Sequence, residues 1–394
     1  MRSLDEFATA KLGELERGSL RRALVDTTRV TGIWTLRNGR RLLSFCCNDY
    51  LNLTHHPAVK EAAIEALETY GVGAAASRFV TGNHPLYADL EARLAAWKET
   101  QAACVFGSGY LANLGIIPAL VGTDDLVLID ELAHACLWGG ARLSRATVIP
   151  FHHSDVGQLE ALLAEQRRRH QRVLIATDGV FSMDGDIAPL HALAAVAQHH
   201  DAWLMSDDAH GLGVVGGGGR GSNYVQPTRA DIPLQMGTLS KALGAYGGYL
   251  CASAAVVDLV RNRARSLIYT TGLPPAMVAA AIAALDLIER EPAYAARPLE
   301  KAKAFARSAG LPEPASPIVP VILGEAEAAL AGARLLEDHG FLVIAIRPPT
   351  VPAGTARLRL TFTAQHPDNE IERLAEIVRT KILTPVAAGA VAAQ

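Results

Sequence analysis

The sequence predicts an α/β fold: a large domain built on a mostly parallel seven-stranded sheet, followed by a smaller α+β C-terminal domain and preceded by an N-terminal arm. Three observations carry that prediction. Seven short apolar runs (AACVF, DLVLI, ATVIPF, RVLIATD, AWLMSD, LQMGT and GYLCAS) fall between residues 102 and 253. Most are continuous rather than alternating, as strands buried on both faces are. Helix-period segments separate many of them, which is the grammar of parallel strands joined by crossovers.

In chain order, residues 1 to about 30 read as a helical arm. IWTL and RLLSF then flank Asn38-Gly39, the pair preferred in a two-residue hairpin turn. HPAVKEAAIEALETY and LYADLEARLAAWKE are helices that precede the first sheet strand. After the helical PPAMVAAAIAALDLIERE the pattern changes. SPIVPVIL, FLVIAI and ARLRLTF resemble strands of a smaller domain, with AEAALAGARLLEDHG and NEIERLAEIVRTKIL as its helices. The expected division is an arm and hairpin over 1–56, the large domain over 57–292, the small domain over 293–384 and a tail over 385–394.

Composition narrows the function. Half of the 394 residues are hydrophobic and a fifth are charged, ordinary for a globular protein with large cores. A net charge of −3 gives no electrostatic footprint for nucleic acid or an anionic membrane. Short basic runs such as Arg40-Arg41 and Arg167-Arg168-Arg169 read as solvated surface. No run approaches the roughly 18 apolar residues of a membrane span. MRSLDEFATAKLGELERG mixes acids with bases and lacks the apolar stretch of a secretory signal. Five cysteines (46, 47, 104, 136 and 251) without C-x-x-C spacing argue against a disulfide framework and a zinc site, so a reducing cytoplasm is expected.

Ligands of an open α/β sheet bind beyond the carboxyl ends of its strands. Three loops in that position stand out. Gly107-Ser108-Gly109-Tyr110 follows AACVF and opens a helix, a setting that suits a phosphate. Asp207-Asp208-Ala209-His210 follows AWLMS, and two adjacent acids at the end of a buried strand need neutralising. A metal on Asp207, Asp208 and His210 is one reading, and acids capping the strand end are another. Lys241 follows LQMGT and is the only charged residue between Asp231 and Asp258. A lysine in low-charge surroundings reaches its neutral, nucleophilic form readily and can form a Schiff base with an aldehyde.

Together the three loops hold the parts that pyridoxal 5′-phosphate needs: a phosphate cradle at Gly109 and Tyr110, an amine at Lys241 and an acid for the pyridine nitrogen at Asp207. His134 sits in a further post-strand loop, where its flat ring either stacks on a cofactor or is a plain helix-start residue. Gly211-Leu-Gly213-Val-Val-Gly216 matches the dinucleotide pattern G-x-G-x-x-G, but GGGRGSN follows instead of a helix.

These motifs resemble the α-oxoamine synthases, a family with the aspartate-aminotransferase fold (fold type I) of pyridoxal-phosphate enzymes. The resemblance runs through NDYLNLTHHP at 48–57, GVGAAASRFVTGNHPLYADLE at 71–91, FGSGYLAN at 106–113, DGVFSMDGD at 178–186, DDAHGLGV at 207–214, GRGS at 219–222 and IRPPTVPAGTARLRLT at 346–361. It implies that Lys241 holds the cofactor aldehyde and moves the proton at the substrate Cα, while Asp207 pairs with the ring nitrogen. His210 and Ser182 match residues around the ring's phenolic oxygen, His134 the ring stacker, and Thr238 a phosphate ligand. Arg21, Asn48, Arg347, Thr350 and Arg359 match substrate-binding positions, with Arg359 for the α-carboxylate. The resemblance also implies a homodimer with the sites at its interface, where Thr270 and Thr271 reach the neighbouring subunit's phosphate. The last motif implies L-alanine and a pimeloyl thioester, carried on coenzyme A or an acyl carrier protein, as substrates. Sibling synthases using glycine or serine share the cofactor residues. Cys46-Cys47 departs from the serines common before NDYL.

Overall fold

A computed structural model describes residues 2–18 and 20–384, so the tail expected at 385–394 lies outside the described residues. The strands are β1 (Thr27–Thr31), β2 (Trp34–Arg37), β3 (Arg40–Ser44), β4 (Ala102–Phe106), β5 (Leu126–Asp130), β6 (Thr147–Phe151), β7 (Val173–Asp178), β8 (Trp203–Asp207), β9 (Leu234–Thr238) and β10 (Gly248–Ala252). Further along the chain come β11 (Ile318–Gly324), β12 (Phe341–Leu342), β13 (Ile344–Ile346) and β14 (Ala356–Thr361). Two compact units result. One takes residues up to Cys47, Lys301–Glu313 and those from Ile318 onward; the other takes Asn48–Glu300 and Pro314–Pro317.

The larger unit is built on a seven-stranded sheet in the order β4-β10-β9-β8-β7-β5-β6. Strands β5 to β9 pair in parallel, and β10 runs antiparallel to both its neighbours, β4 and β9. The continuous apolar runs are explained by burial on both faces. Val127 and Ile129 of β5 join one core cluster with Ile116, Leu137 and Val257, whereas Leu126 and Leu128 join another with Leu159, Leu163 and Leu193. β6 closes one edge of the sheet and carries Pro150, whose missing N–H is tolerated at an edge. Parallel pairing brings the ends of β7, β8 and β9, and the loops that follow them, to one side of the sheet.

The smaller unit contains the sheets β1-β2-β3-β12 and β11-β14-β13. Its hairpin turn has Asn38 at φ 50° and Gly39 at φ 73°, the pair of positive values that a type I′ turn requires. Two expectations are corrected here. The helical arm ends at Arg17, because Gly18 follows and the β-branched TTRVT forms β1 against β2. The run FLVIAI is not one strand: Phe341–Leu342 pairs parallel to β3, while Ile344–Ile346 pairs antiparallel to β14. Among the described residues, no helix is long and apolar enough to cross a membrane.

The smaller core holds a buried histidine. His366 stacks on Phe45 with ring centroids 3.9 Å apart, accepts the Thr363 N–H at Nδ1 and donates from Nε2 to the Ser44 carbonyl, each at 2.9 Å. Burial pushes its pKa down to about 3, so the ring stays neutral. Protons bind the unfolded chain first as pH falls below the ordinary histidine value. Stability from this site is therefore full above about pH 6.5 and lost as pH falls toward 3. Urea titrations at pH 7 and pH 5 should show about 2 kcal/mol more acid sensitivity in the wild type than in His366→Gln. Equal sensitivity in both proteins would count against this assignment.

Candidate active site

Gly109, Tyr110, His134, Ser182, Asp207, His210, Thr238 and Lys241 line one cavity of about 220 Å³ in the larger unit. Strand geometry explains the adjacent acids. Side chains alternate across a strand, so Asp207 faces the cavity and Asp208 turns to the opposite side. There the Lys98 ammonium lies 3.5 Å from the Asp208 carboxylate, and Ser222 N–H donates to it at 3.0 Å. The two carboxylates diverge, so they do not share a metal.

Asp207 is buried, with 4% of its surface exposed. One oxygen accepts the Ala209 N–H at 3.0 Å, and the other accepts Asn113 Nδ2 at 2.7 Å. Asn113 also donates to the Cys136 sulfur at 3.0 Å, and that sulfur lies beside His134 Nδ1. The Cys136 thiol, pushed up to about 12 by burial and by Asp207, stays protonated. His134 caps the helix Ala135–Ser144 by accepting the Cys136 N–H at Nδ1, which places its ring proton on Nε2. Burial lowers its pKa, so it presents a neutral flat ring.

At the other end of the cavity Ser108 caps the helix Gly109–Leu120 through the Leu111 N–H. That leaves the N–H groups of Gly109 and Tyr110 without helical acceptors. A Cβ at Gly109 would come 3.3 Å from Thr238 Cβ, so glycine lets the backbone approach this hydroxyl-bearing wall. Thr238 Oγ1 itself donates to the Gly247 carbonyl at 2.7 Å and meets Ser240 Oγ at 2.8 Å. His210 Nδ1 is fixed by the buried Tyr50 hydroxyl at 2.8 Å. The loop bearing Ser182 is pinned by His153, which bridges Asp130 at 3.1 Å and Asp186 at 2.9 Å. Those two bonds raise its pKa to about 10, so it remains an imidazolium at neutral pH.

The remaining expected residues lie elsewhere. Asn48 Oδ1 lies 3.5 Å from the Tyr50 hydroxyl, and Thr271 bridges to Ser77 next to Thr270. Arg21, Arg347 and Thr350 line a cavity of about 540 Å³ in the smaller unit together with Arg22, Arg37 and Arg334. Arg22 donates to Thr350 Oγ1 at 3.0 Å, and Arg359 is buried on β14. A larger cavity of about 660 Å³, lined in part by Arg78, Glu91 and Arg261, has its one carboxylate already shared by both guanidinium groups. The cavity of about 220 Å³ is therefore the candidate site. The dinucleotide-like glycines at 211–216 lead into the 3₁₀ turns Gly217–Gly219 and Ser222–Tyr224 rather than an α-helix.

Sequence reasoning missed Asp178, Asn113, Cys136 and Lys98. Asn113 lies one helical turn beyond Gly109, and Asp178 opens DGVFSMDGD, so both stood inside recognised motifs. Nothing local marks Lys98.

Fold and site together define a pyridoxal-phosphate enzyme of fold type I. The family described as aminotransferase class I and II matches residues 40–378. Similar curated relatives are the 8-amino-7-oxononanoate synthases of Beijerinckia indica (61% identical, covering 96% of this chain and 98% of that one) and Granulibacter bethesdensis (60%, covering 96% and 98%). A solved serine palmitoyltransferase from S. paucimobilis with PLP and myriocin bound aligns at TM-score 0.90, 30% identical, over 98% of this chain and 99% of that one. The 8-amino-7-oxononanoate synthase of Francisella tularensis aligns at TM-score 0.75, 27% identical, over 87% and 98%. The chain belongs to the class I and II aminotransferase family and, within it, to the 8-amino-7-oxononanoate synthase group of PLP-dependent acyltransferases.

Its cofactor is pyridoxal 5′-phosphate, and the residues present fit that group. A buried carboxylate held by neutral donors, an amine on the same cavity wall, a neutral flat ring and two free helix N–H groups are the partners it requires.

Proposed function

We propose that this chain condenses L-alanine with a pimeloyl thioester, releasing CO₂ and free thiol and forming 8-amino-7-oxononanoate for biotin biosynthesis. The observation that carries the chemistry is the convergence of Lys241, Asp207, His134 and the Gly109 helix start on one cavity. The names of the relatives support the choice of product. When bound, the cofactor supplies an electron sink for negative charge at the substrate Cα.

The protein's own groups do the rest. Lys241 Nζ would hold the cofactor aldehyde and, once displaced by the substrate amine, would take the proton from alanine Cα and return one to the same carbon. Asp207 would keep a proton on the pyridine nitrogen. His134 would pack against the cofactor ring, and its neutral state suits that position. His210 and Ser182 hydrogen-bond around the phenolic oxygen, with the Tyr50 contact setting the orientation of His210. Gly109, Tyr110 and Thr238 hold the phosphate. Arg359 grips the α-carboxylate bidentately. Arg21, Arg347, Thr350 and Asn48 bind the acyl donor, and the arginine-rich lining around the first three supports an anionic one.

We also assign a homodimer in which Thr270 and Thr271 approach the partner's phosphate. Support comes from Phe79, Val80 and Tyr269, exposed on the two segments joined by the Ser77–Thr271 bridge. The reaction is assigned to the cytoplasm, whose reducing environment suits five free cysteines.

The test is thiol release from pimeloyl-CoA by the purified yellow protein, offered L-alanine, glycine or L-serine separately. Release with alanine is expected. Release only with glycine or serine would transfer the protein to a sibling activity. A spectral response to alanine without thiol release would redirect the donor to the carrier-protein thioester.

A further inference from the structure

A second carboxyl group lines the cofactor cavity, and no step above uses it. Asp178 ends β7 and stands opposite Asp207 in the parallel ladder with β8. The pairing holds to the strand ends, where Gly179 N–H donates to the Asp207 carbonyl at 2.7 Å. Opposed residues of a ladder present their side chains on the same face, and both carboxyls line the same cavity. Both are buried, each with 4% of its surface exposed.

Their partners differ. Asp207 receives three neutral donors, the Asn113 amide, the Ala209 N–H and, at 3.9 Å, the Cys136 thiol. Asp178 receives one, the backbone N–H of His134 at 3.0 Å. The titratable groups facing it are Asp130 at the end of β5, His134 and Cys136 at the start of the helix Ala135–Ser144, Asp207 from β8, and Lys241 beyond β9. Lys241 and the His134 N–H favour a negative charge, but burial and the Asp207 charge outweigh them, and the Lys241 amine is assigned to the cofactor. Two carboxylates abreast in a buried site do not both ionise, and the proton goes to the less solvated one.

We propose that Asp178 is a positioning residue that works as a neutral carboxylic acid: it anchors His134 through that residue's backbone N–H and leaves Asp207 as the anion of the site. Burial, followed by the Asp207 charge, pushes its pKa well above the usual carboxylate range, in agreement with the geometry. The cost of a second buried anion beside the ring is thereby avoided. The anchoring loop also explains how the stacking residue is held: the His134 side chain caps one helix while its N–H is tied to the end of β7. This inference rests on the cofactor site and stands whichever acyl donor is used.

Two measurements test it, neither of which reads turnover. Infrared difference spectra of the cofactor-free protein, wild type minus Asp178→Asn, should show at neutral pH the stretch of a protonated carboxyl present only in the wild type. Replacement of that band by a carboxylate pair overturns the proposal. The dissociation constant for PLP should rise at least about tenfold in Asp178→Ala, the equivalent of one lost hydrogen bond. It should return to within about threefold of wild type in Asp178→Asn, whose amide oxygen still accepts the His134 N–H. An alanine variant that retains PLP normally, or an asparagine variant that fails to fold or releases PLP like the alanine one, also overturns it. Failure of any of these leaves the acyl-transfer reading untouched, and failure of thiol release leaves this one untouched.

Discussion

Replacing Lys241 with alanine is expected to lower thiol release by at least about 10⁴-fold, because on the proposed assignment one amine would serve both as the aldehyde's partner and as the proton carrier at Cα. The fold should be spared. Several backbone bonds hold the loop that carries the lysine: Lys241 carbonyl to Gly244 N–H at 2.9 Å, Leu239 carbonyl to Ala245 N–H at 3.0 Å and Gly247 carbonyl to Leu239 N–H at 2.9 Å. Its side chain is only half-buried, so the change in stability should stay below about 1 kcal/mol. PLP should still bind but wash out on dialysis, since no covalent partner remains. Turnover and thermal midpoint measured on the same preparation check the prediction. Undiminished activity would end the assignment of Lys241.

The largest effect on stability is expected at Lys98, a residue remote from the reacting atoms. Its side chain is 1% exposed, its ammonium donates to the Arg220 carbonyl at 2.7 Å, and it is the cation that faces Asp208. Burial pushes the Asp208 pKa up, and Lys98 works against that shift. Lys98→Met would leave a carboxylate in a dry pocket with only the Ser222 N–H, costing about 3–5 kcal/mol. The double variant with Asp208→Asn should regain much of that loss, since the uncompensated charge is gone. Urea unfolding of the two single variants and the double variant closes the cycle. If the losses simply add, the pair is not coupled and the account of Asp208 fails.

Much of the fold was legible because burial leaves a one-dimensional trace. Strands covered on both faces read as continuous apolar runs, and β5, β7, β9 and β10 prove buried along their whole length. The hairpin at Asn38-Gly39 was equally plain, because its positive φ angles restrict residue type. β1 was lost in the reading of a helical arm, since TTRVT is too short and polar to outweigh the helix pattern before it. The break in FLVIAI was invisible because each half is set by a different partner strand.

The same division runs through the site. Sequence by itself determined which chemistry the chain can carry: a lysine isolated from other charges, an acid at a strand end and glycines before a helix are local patterns with local causes. Tertiary structure alone decided how that chemistry is supported. Asp178 meets Asp207 only through the register of two parallel strands, and Asn113 reaches Asp207 only because its helix packs against β9 and β10. Lys98 answers Asp208 across 110 residues. Strand alternation and ladder register are properties of neighbours in space, and a linear pattern does not record which neighbour a buried charge will find.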